Sequence, residues 1–138
     1  REGDKASPLG TWPVRRVFYR ADRIVAPGGA LRIDPITADD GWCDEPGHPA
    51  YNRLVRRPFP ASHEVLLRDD GLYDLMVVLG HNDAPPVDGL GSAIFLHCAL
   101  PAEAGGLRPT AGCAAIPRDD LADLVGRLAP GDALCMAP

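Results

Sequence analysis

Short apolar runs separated by turn residues recur along the chain and predict a mainly β domain. Each run is rich in β-branched, aromatic or other apolar residues and is bounded by Gly, Pro or Asp. Residue Pro35 interrupts one run, which therefore suits the edge of a sheet. The predicted strands cover residues 14–19, 31–36, 73–79, 92–97 and 133–136.

One helix is predicted near the end of the chain, because apolar residues there recur at positions i, i+3, i+4 and i+7. Pro117 suits its first turn, where the missing N–H has no partner to lose. Asp119 and Asp120 favour the positive end of the helix dipole, and Pro130 stops the helix. The apolar stripe consists of Leu121, Leu124, Val125 and Leu128.

Residues 37–62 show no clear periodicity and are predicted to form a long loop. The loop contains Trp42, Tyr51 and Phe59, an aromatic content that argues against disorder. Trp42 and Cys43 are interpreted either as core residues under the loop or, for Trp42, as part of a substrate-binding lid.

The composition is that of one soluble globular domain. The 138 residues include 15 Gly and 15 Pro, which indicates many short elements joined by turns. The formal net charge of -5 argues against nucleic-acid binding and against docking on anionic membranes. No segment is long and apolar enough to cross a bilayer, and the polar start shows no signal peptide.

Four cysteines are spread along the chain without a Cys-x-x-Cys pair: Cys43, Cys98, Cys113 and Cys135. Two disulfides or free thiols are both compatible with this spacing, and we expect at least Cys113 to be free. A zinc site is disfavoured because close ligand pairs are missing, so no metal or cofactor is predicted. Cys98 follows His97 on a strand and is expected to point to the opposite face.

His97 and Cys113 are the candidate catalytic pair. His97 ends a buried strand, and Cys113 follows 16 positions later behind Gly112. A thiol with an ordinary pKa of about 8.5 is mostly protonated at neutral pH. A neighbouring imidazole can take that proton and then stabilise the thiolate. Backbone N–H groups around Gly112 and Cys113, with Thr110 and Ala114 beside them, are the predicted oxyanion and positioning groups.

At these residues the chain resembles the L,D-transpeptidase catalytic domain, also called the YkuD-type domain. That family has a His at a strand end, then a loop, then a Ser/Thr-x-Gly-Cys motif; here these are His97 and residues 110–113. Flanking segments extend the resemblance over nearly the whole chain and match a small, compact bacterial branch. They include residues 3–12, 40–44, 51–52, 73–75 and 80–85.

The resemblance implies a β-sandwich with one helix following the catalytic Cys. It also implies a single catalytic domain over residues 1–138, which would lack N-terminal strands that relatives have. It implies acyl transfer on peptidoglycan stem peptides in the bacterial cell envelope or periplasm. Cys113 would form the thioester and His97 would act first as base and then as acid. Acylation by carbapenem-type inhibitors is also expected.

The chain departs from the family at two positions. Ala111 stands where most members have His, and Ala115 where they usually carry Arg. Arg118 is therefore considered as a substitute that would hold a substrate carboxylate. His81 and Asn82 are interpreted either as turn-forming residues or as a cleft wall that binds substrate and orients His97. Arg15, Arg16, Arg56 and Arg57 are interpreted as solvated surface charges, with attraction of acidic stem peptides as an alternative for Arg56 and Arg57.

Three functions remain open from the sequence. The first is an L,D-transpeptidase, and the second is an L,D-carboxypeptidase or hydrolase that uses the same site. The third is a non-catalytic cell-wall-binding module that keeps the fold, which the missing Arg at position 115 favours.

Overall fold

The computed structural model describes residues 6–100 and 113–137, in which nine strands and one short helix are seen. The predicted mainly β fold is confirmed. The elements are β1 (Gly10–Tyr19), β2 (Ile33–Pro35), β3 (Asp40–Cys43), β4 (Leu54–Arg56), β5 (His63–Val65), β6 (Leu75–Leu79), β7 (Phe95–Cys98), β8 (Ala114–Ile116), α1 (Arg118–Val125) and β9 (Ala133–Met136).

The larger sheet has six strands in the order β2-β1-β6-β7-β8, with β9 also pairing with β1. The β1–β2 and β7–β8 pairs are parallel, whereas β1–β6, β6–β7 and β1–β9 are antiparallel. Strand β1 has three partners along its length: residues 10–13 pair with β9, and residues 14–19 pair with β6 on one side, where residues 17–19 also pair with β2 on the other. A register shift between Val14 and Arg16 marks the change.

A second sheet of three strands, in the order β4-β3-β5, is formed within residues 40–65. The expectation of a long loop over residues 37–62 is therefore wrong. Strands of three or four residues are too short to show an alternating pattern, and β3 is buried at every position, which hides the alternation further. The position of β3 is determined by its two neighbouring strands, since Gly41 pairs with both Val55 of β4 and Val65 of β5.

The two faces of the larger sheet are covered by different layers. One face packs on α1, which buries Leu121 and Val125 against a cluster containing Val17 and Val77. The other face packs on the three-stranded sheet through Phe18, Phe95 and Trp42. The rings of Trp42 and Phe95 meet edge to face with centroids 5.2 Å apart. Burial on both faces explains why β6 and β7 are apolar at nearly every position.

The helix begins at Arg118, with Pro117 as its N-cap rather than within its first turn. Asp119 and Asp120 lie in that first turn, as predicted. The helix follows Cys113 as predicted, with strand β8 between them. Three apolar residues of β8 pair with β7 before the chain turns into α1.

Candidate active site

Parallel pairing of β7 and β8 determines where Cys113 lies. Ala114, the first residue of β8, pairs with Leu96, so Cys113 lies beside Phe95. The backbone N–H of Phe95 donates to Cys113 Sγ at 3.4 Å, and Sγ donates to the carbonyl of Ala93 at 3.3 Å. The thiol is partly buried and packs against the cluster between the two sheets.

His97 lies in the middle of the larger sheet, between Met76 of β6 and Ala115 of β8. The residue is only 4% exposed. Its Nδ1 lies 2.8 Å from the carbonyl oxygen of Cys98. A carbonyl oxygen only accepts hydrogen bonds, so Nδ1 carries the proton in this bond. In the neutral ring Nε2 is therefore unprotonated. The group that orients the imidazole is thus a backbone carbonyl, which no sequence pattern reveals.

The thiol and the imidazole lie on the same face of the sheet. Phe95 and His97 are two residues apart on β7, so their side chains project to the same side. Phe95 belongs to the cluster that Cys113 packs against, and the ring of His97 contacts Tyr73 of that cluster. Cys98 belongs to the cluster on the helix side, which confirms the prediction that it faces the other way.

Burial controls the protonation of both groups. Burial raises the pKa of the Cys113 thiol to about 12, the Phe95 N–H opposes this rise, and the Glu64 carboxylate adds to it. Burial also lowers the pKa of His97 below its ordinary 6.5, partly opposed by the bond to the Cys98 carbonyl. At neutral pH the resting pair is therefore a protonated thiol and a neutral imidazole. A neutral imidazole is the form that accepts a proton.

Residues that the sequence did not single out surround this pair. Tyr73 places its ring edge against His97, with centroids 5.4 Å apart, and its hydroxyl donates a short hydrogen bond to Glu64. The guanidinium of Arg68 lies 5.3 Å from the centre of the Tyr73 ring and binds Asp70 at 2.6 Å. Charged residues on short strands and loops resemble solvated surface in a sequence, so the pattern carried no signal for them.

Asn52 connects the three-stranded sheet to the backbone that holds the thiol. Its Oδ1 accepts from Trp42 Nε1 at 2.9 Å and from the N–H of Ala93 at 3.1 Å. Its Nδ2 donates to the carbonyls of His81 at 3.0 Å and Asn82 at 2.7 Å. Ala93 has a φ of 54°, an unfavourable value for alanine, and its carbonyl is the one that accepts from Cys113.

The predicted substrate-binding residue Asn82 is used in a turn. Its side chain donates to the carbonyls of Val87 and Gly91, both at 2.9 Å, and accepts from the Val87 N–H at 2.7 Å. These bonds close the loop between β6 and β7, which is the turn-forming alternative. His81 is half-buried with its ring 4.8 Å from that of Trp12. Burial lowers the pKa of His81, and no residue in the described chain pairs with its Nδ1.

Trp42 and Arg118 occupy different parts of the structure. Trp42 is 7% exposed and lies between the sheets, as a core residue rather than on a mobile lid. Arg118 pairs with the buried carboxylate of Asp74 at 3.1 Å, and both line a cavity beside Cys98. That cavity lies on the other face of β7 from His97. Ala114 begins β8, whereas Thr110 and Gly112 lie outside the described residues.

All four cysteines are free thiols, with Cys43 and Cys98 buried and Cys135 exposed. Across residues 6–100 and 113–137, no group of three or more His, Cys, Asp and Glu side chains is arranged to hold a metal ion. The described part of the chain has no helix with the length and apolarity needed to cross a bilayer.

Comparison with known families supports the fold. The model of the L,D-transpeptidase catalytic domain, YkuD, matches residues 1–135 of the 138-residue chain. Comparisons with curated proteins and with solved structures found no match. Members of the YkuD family are cysteine-dependent transpeptidases that act on peptidoglycan. The chain belongs to the YkuD family of L,D-transpeptidase catalytic domains.

Proposed function

We propose that this protein is a cysteine acyltransferase that acts on peptidoglycan stem peptides through a thioester on Cys113. The observation that carries the proposal is the shared face of the β7–β8 pair, to which both the thiol and a neutral, oriented imidazole project. The chain's membership of the YkuD family supports this reaction class and a site of action in the bacterial cell envelope or periplasm.

The first step forms the thioester. His97 Nε2 accepts the thiol proton while Cys113 Sγ attacks the carbonyl carbon of the L-centre residue that precedes a terminal D-amino acid. The tetrahedral intermediate collapses, the C–N bond breaks, and the imidazolium returns its proton to the leaving D-alanine amine. The high pKa of Cys113 supports a transfer coupled to attack rather than a standing thiolate.

The second step resolves the thioester. An amine from a second stem attacks the thioester carbonyl, His97 removes a proton from that amine, and the C–S bond breaks as Cys113 recovers its proton. Water in place of the amine would give an L,D-carboxypeptidase. Product mass with and without an added amine acceptor separates the two reactions, since only transfer yields an acceptor-dependent product.

Acylation by a carbapenem is the first test. Intact-protein mass should show one adduct on the wild type and none on Cys113→Ala, because the strained lactam acylates an activated thiol. The Cys135→Ala variant is the matched control, since Cys135 is the exposed thiol and its removal should leave the adduct in place. An adduct that disappears with Cys135 and persists without Cys113 would refute the proposal.

A wall-binding module without catalysis is the second candidate. Ala115 favours it, because this residue pairs with His97 where relatives usually carry Arg. Such a module would bind stem peptides but leave both the carbapenem and the donor peptide unchanged. A folded wild-type protein that gives no adduct and releases no D-alanine would establish this alternative over the enzyme.

A further inference from the structure

A cavity of about 210 Å³ lies between the two sheets, close to the candidate nucleophile. Val78 and Phe95 of the larger sheet and Trp42 of the smaller one contribute apolar lining. Arg15, Arg16 and Arg53 line it as well. We call it the arginine cavity.

The arginine cavity shares a row of side chains with the thiol. Arg16 pairs with Val78, Val78 pairs with Phe95, and the backbone of Phe95 bonds to Cys113 Sγ. Val78 is therefore two strands from Cys113, or about 10 Å at the usual spacing. That distance equals about three residues of extended peptide. A stem peptide bound at the thiol can thus reach the cavity.

The lining of the cavity carries an excess of positive charge. Its lining residues include three arginines and one acidic residue, Asp83, which binds Arg15 through two bonds of 3.0 Å. Arg16 shares the single carboxylate of Asp34 with Arg32, each at 2.7 Å. Arg53 is exposed, and no ion pair to it occurs among the described residues. This positive excess occurs in a chain whose net charge is -5.

A buried donor also remains unused in this lining. Arg16 Nε has no hydrogen-bond partner within the described chain, although it is shielded from solvent. Its guanidinium lies 4.3 Å from the centre of the Phe18 ring, which holds the side chain in place. The expectation that Arg16 is a solvated surface charge is wrong.

We propose that the arginine cavity binds a carboxylate of the acyl-donor stem peptide, on the N-terminal side of the bond that is cut. The proposal rests on the proposed function, since it assigns the cavity to the same substrate. A guanidinium recognises a carboxylate through charge-assisted and often paired hydrogen bonds. The cavity would supply the substrate anchor that position 115 lacks.

The test uses two synthetic donor peptides that differ at one group, a free upstream carboxylate or its carboxamide. D-alanine release gives KM and kcat for wild type, Arg53→Gln and Arg56→Gln. Arg53→Gln should raise KM for the acid about tenfold, the value of one charge-assisted bond, with kcat and the KM for the amide unchanged. Arg56→Gln is the matched control, because Arg56 is exposed outside the cavity and should change neither value.

Calorimetric binding to Cys113→Ala separates this proposal from the proposed function, because it requires no turnover. The acid should bind about tenfold more tightly than the amide, and Arg53→Gln in the same background should abolish the difference. Equal affinity for both peptides, or no binding of either, would overturn the arginine cavity even if the wild type is an active transpeptidase. If the protein binds the acid more tightly but turns over neither peptide, carboxylate binding by the arginine cavity is supported and the proposed enzymatic function is refuted.

Discussion

At the scale of single residues, the environment of His97 sets the pH range of the reaction. Because burial holds the pKa of His97 below its ordinary 6.5, the neutral base persists as the solution becomes mildly acidic. Acylation should therefore fall only as pH drops through that lowered pKa. We expect the carbapenem acylation rate, measured from about pH 4.5 to about 8, to have an acidic midpoint below 6.5. A midpoint at or above 6.5 would contradict the assignment of His97.

Asn52 is expected to matter more for stability than its short side chain suggests. Asn52→Ala leaves the buried Trp42 Nε1 and the Ala93 N–H without their acceptor, at about 1–3 kcal/mol each. We expect the free energy of unfolding to fall by about 3 kcal/mol in urea titrations.

Asn82→Ala is the matched control for that prediction, because both asparagines have positive φ, 58° and 52°. The Asn82 side chain makes three hydrogen bonds, but in a loop where water can replace them. Asn82→Ala should lower the free energy of unfolding by about 1 kcal/mol. Equal losses for the two variants would show that burial at Asn52 has no special value.

At the scale of elements, the end of α1 limits which residue can follow Gly28. Gly29 has a φ of 124°, and a Cβ added there would lie 2.5 Å from the carbonyl oxygen of Val125, the last helical residue. Gly29→Ala should lower the free energy of unfolding by about 2 kcal/mol or more, since both the backbone and the contact are unfavourable. Gly28→Ala meets no atom within 4 Å and should change it by less than about 0.5 kcal/mol. Equal urea midpoints for the two variants would contradict this packing.

Element by element, predictability followed the apolar pattern along the chain. The sequence predicted β1, β6, β7, β9 and the helix, because each carries a run of apolar residues or an apolar helical stripe. Strands β3, β4 and β5 have three or four residues each and depend on their mutual pairing. His97 and Cys113 were proposed as the catalytic pair from chemistry and resemblance. Asn52, Glu64 and Arg16 were not, because their roles depend on contacts between residues far apart in the chain.

At the scale of the whole molecule, the buried histidines link stability to pH. The folded-state pKa values of His97 and His81 are both lowered by burial, so folding favours the neutral rings. Their contribution to the free energy of unfolding is fully present above the ordinary pKa of 6.5. It is lost as pH falls through the lowered pKa values of the folded state.

We expect the urea midpoint of the wild type to decrease between about pH 7.5 and about 5.5, because the unfolded chain binds more protons over that range. A variant with both His97→Gln and His81→Gln should show a smaller decrease. The comparison uses the change of the urea midpoint with pH within each protein. A variant that is less stable at both pH values therefore does not affect it. Parallel decreases in the two proteins would assign the pH dependence to other groups.

The pairing of β1 with β9 has a consequence for how the chain can be rearranged. Gly10 lies opposite Met136, and the antiparallel ladder continues to Pro13 and Ala133. The two ends of the fold are thus neighbours, and a short flexible linker could join them. New termini opened at the exposed turn around Gly47, where an added Cβ would meet no atom within 4 Å, would then give a circular permutant with the same β7–β8 pair. We therefore expect chain order and the geometry of the candidate site to be separable in this fold.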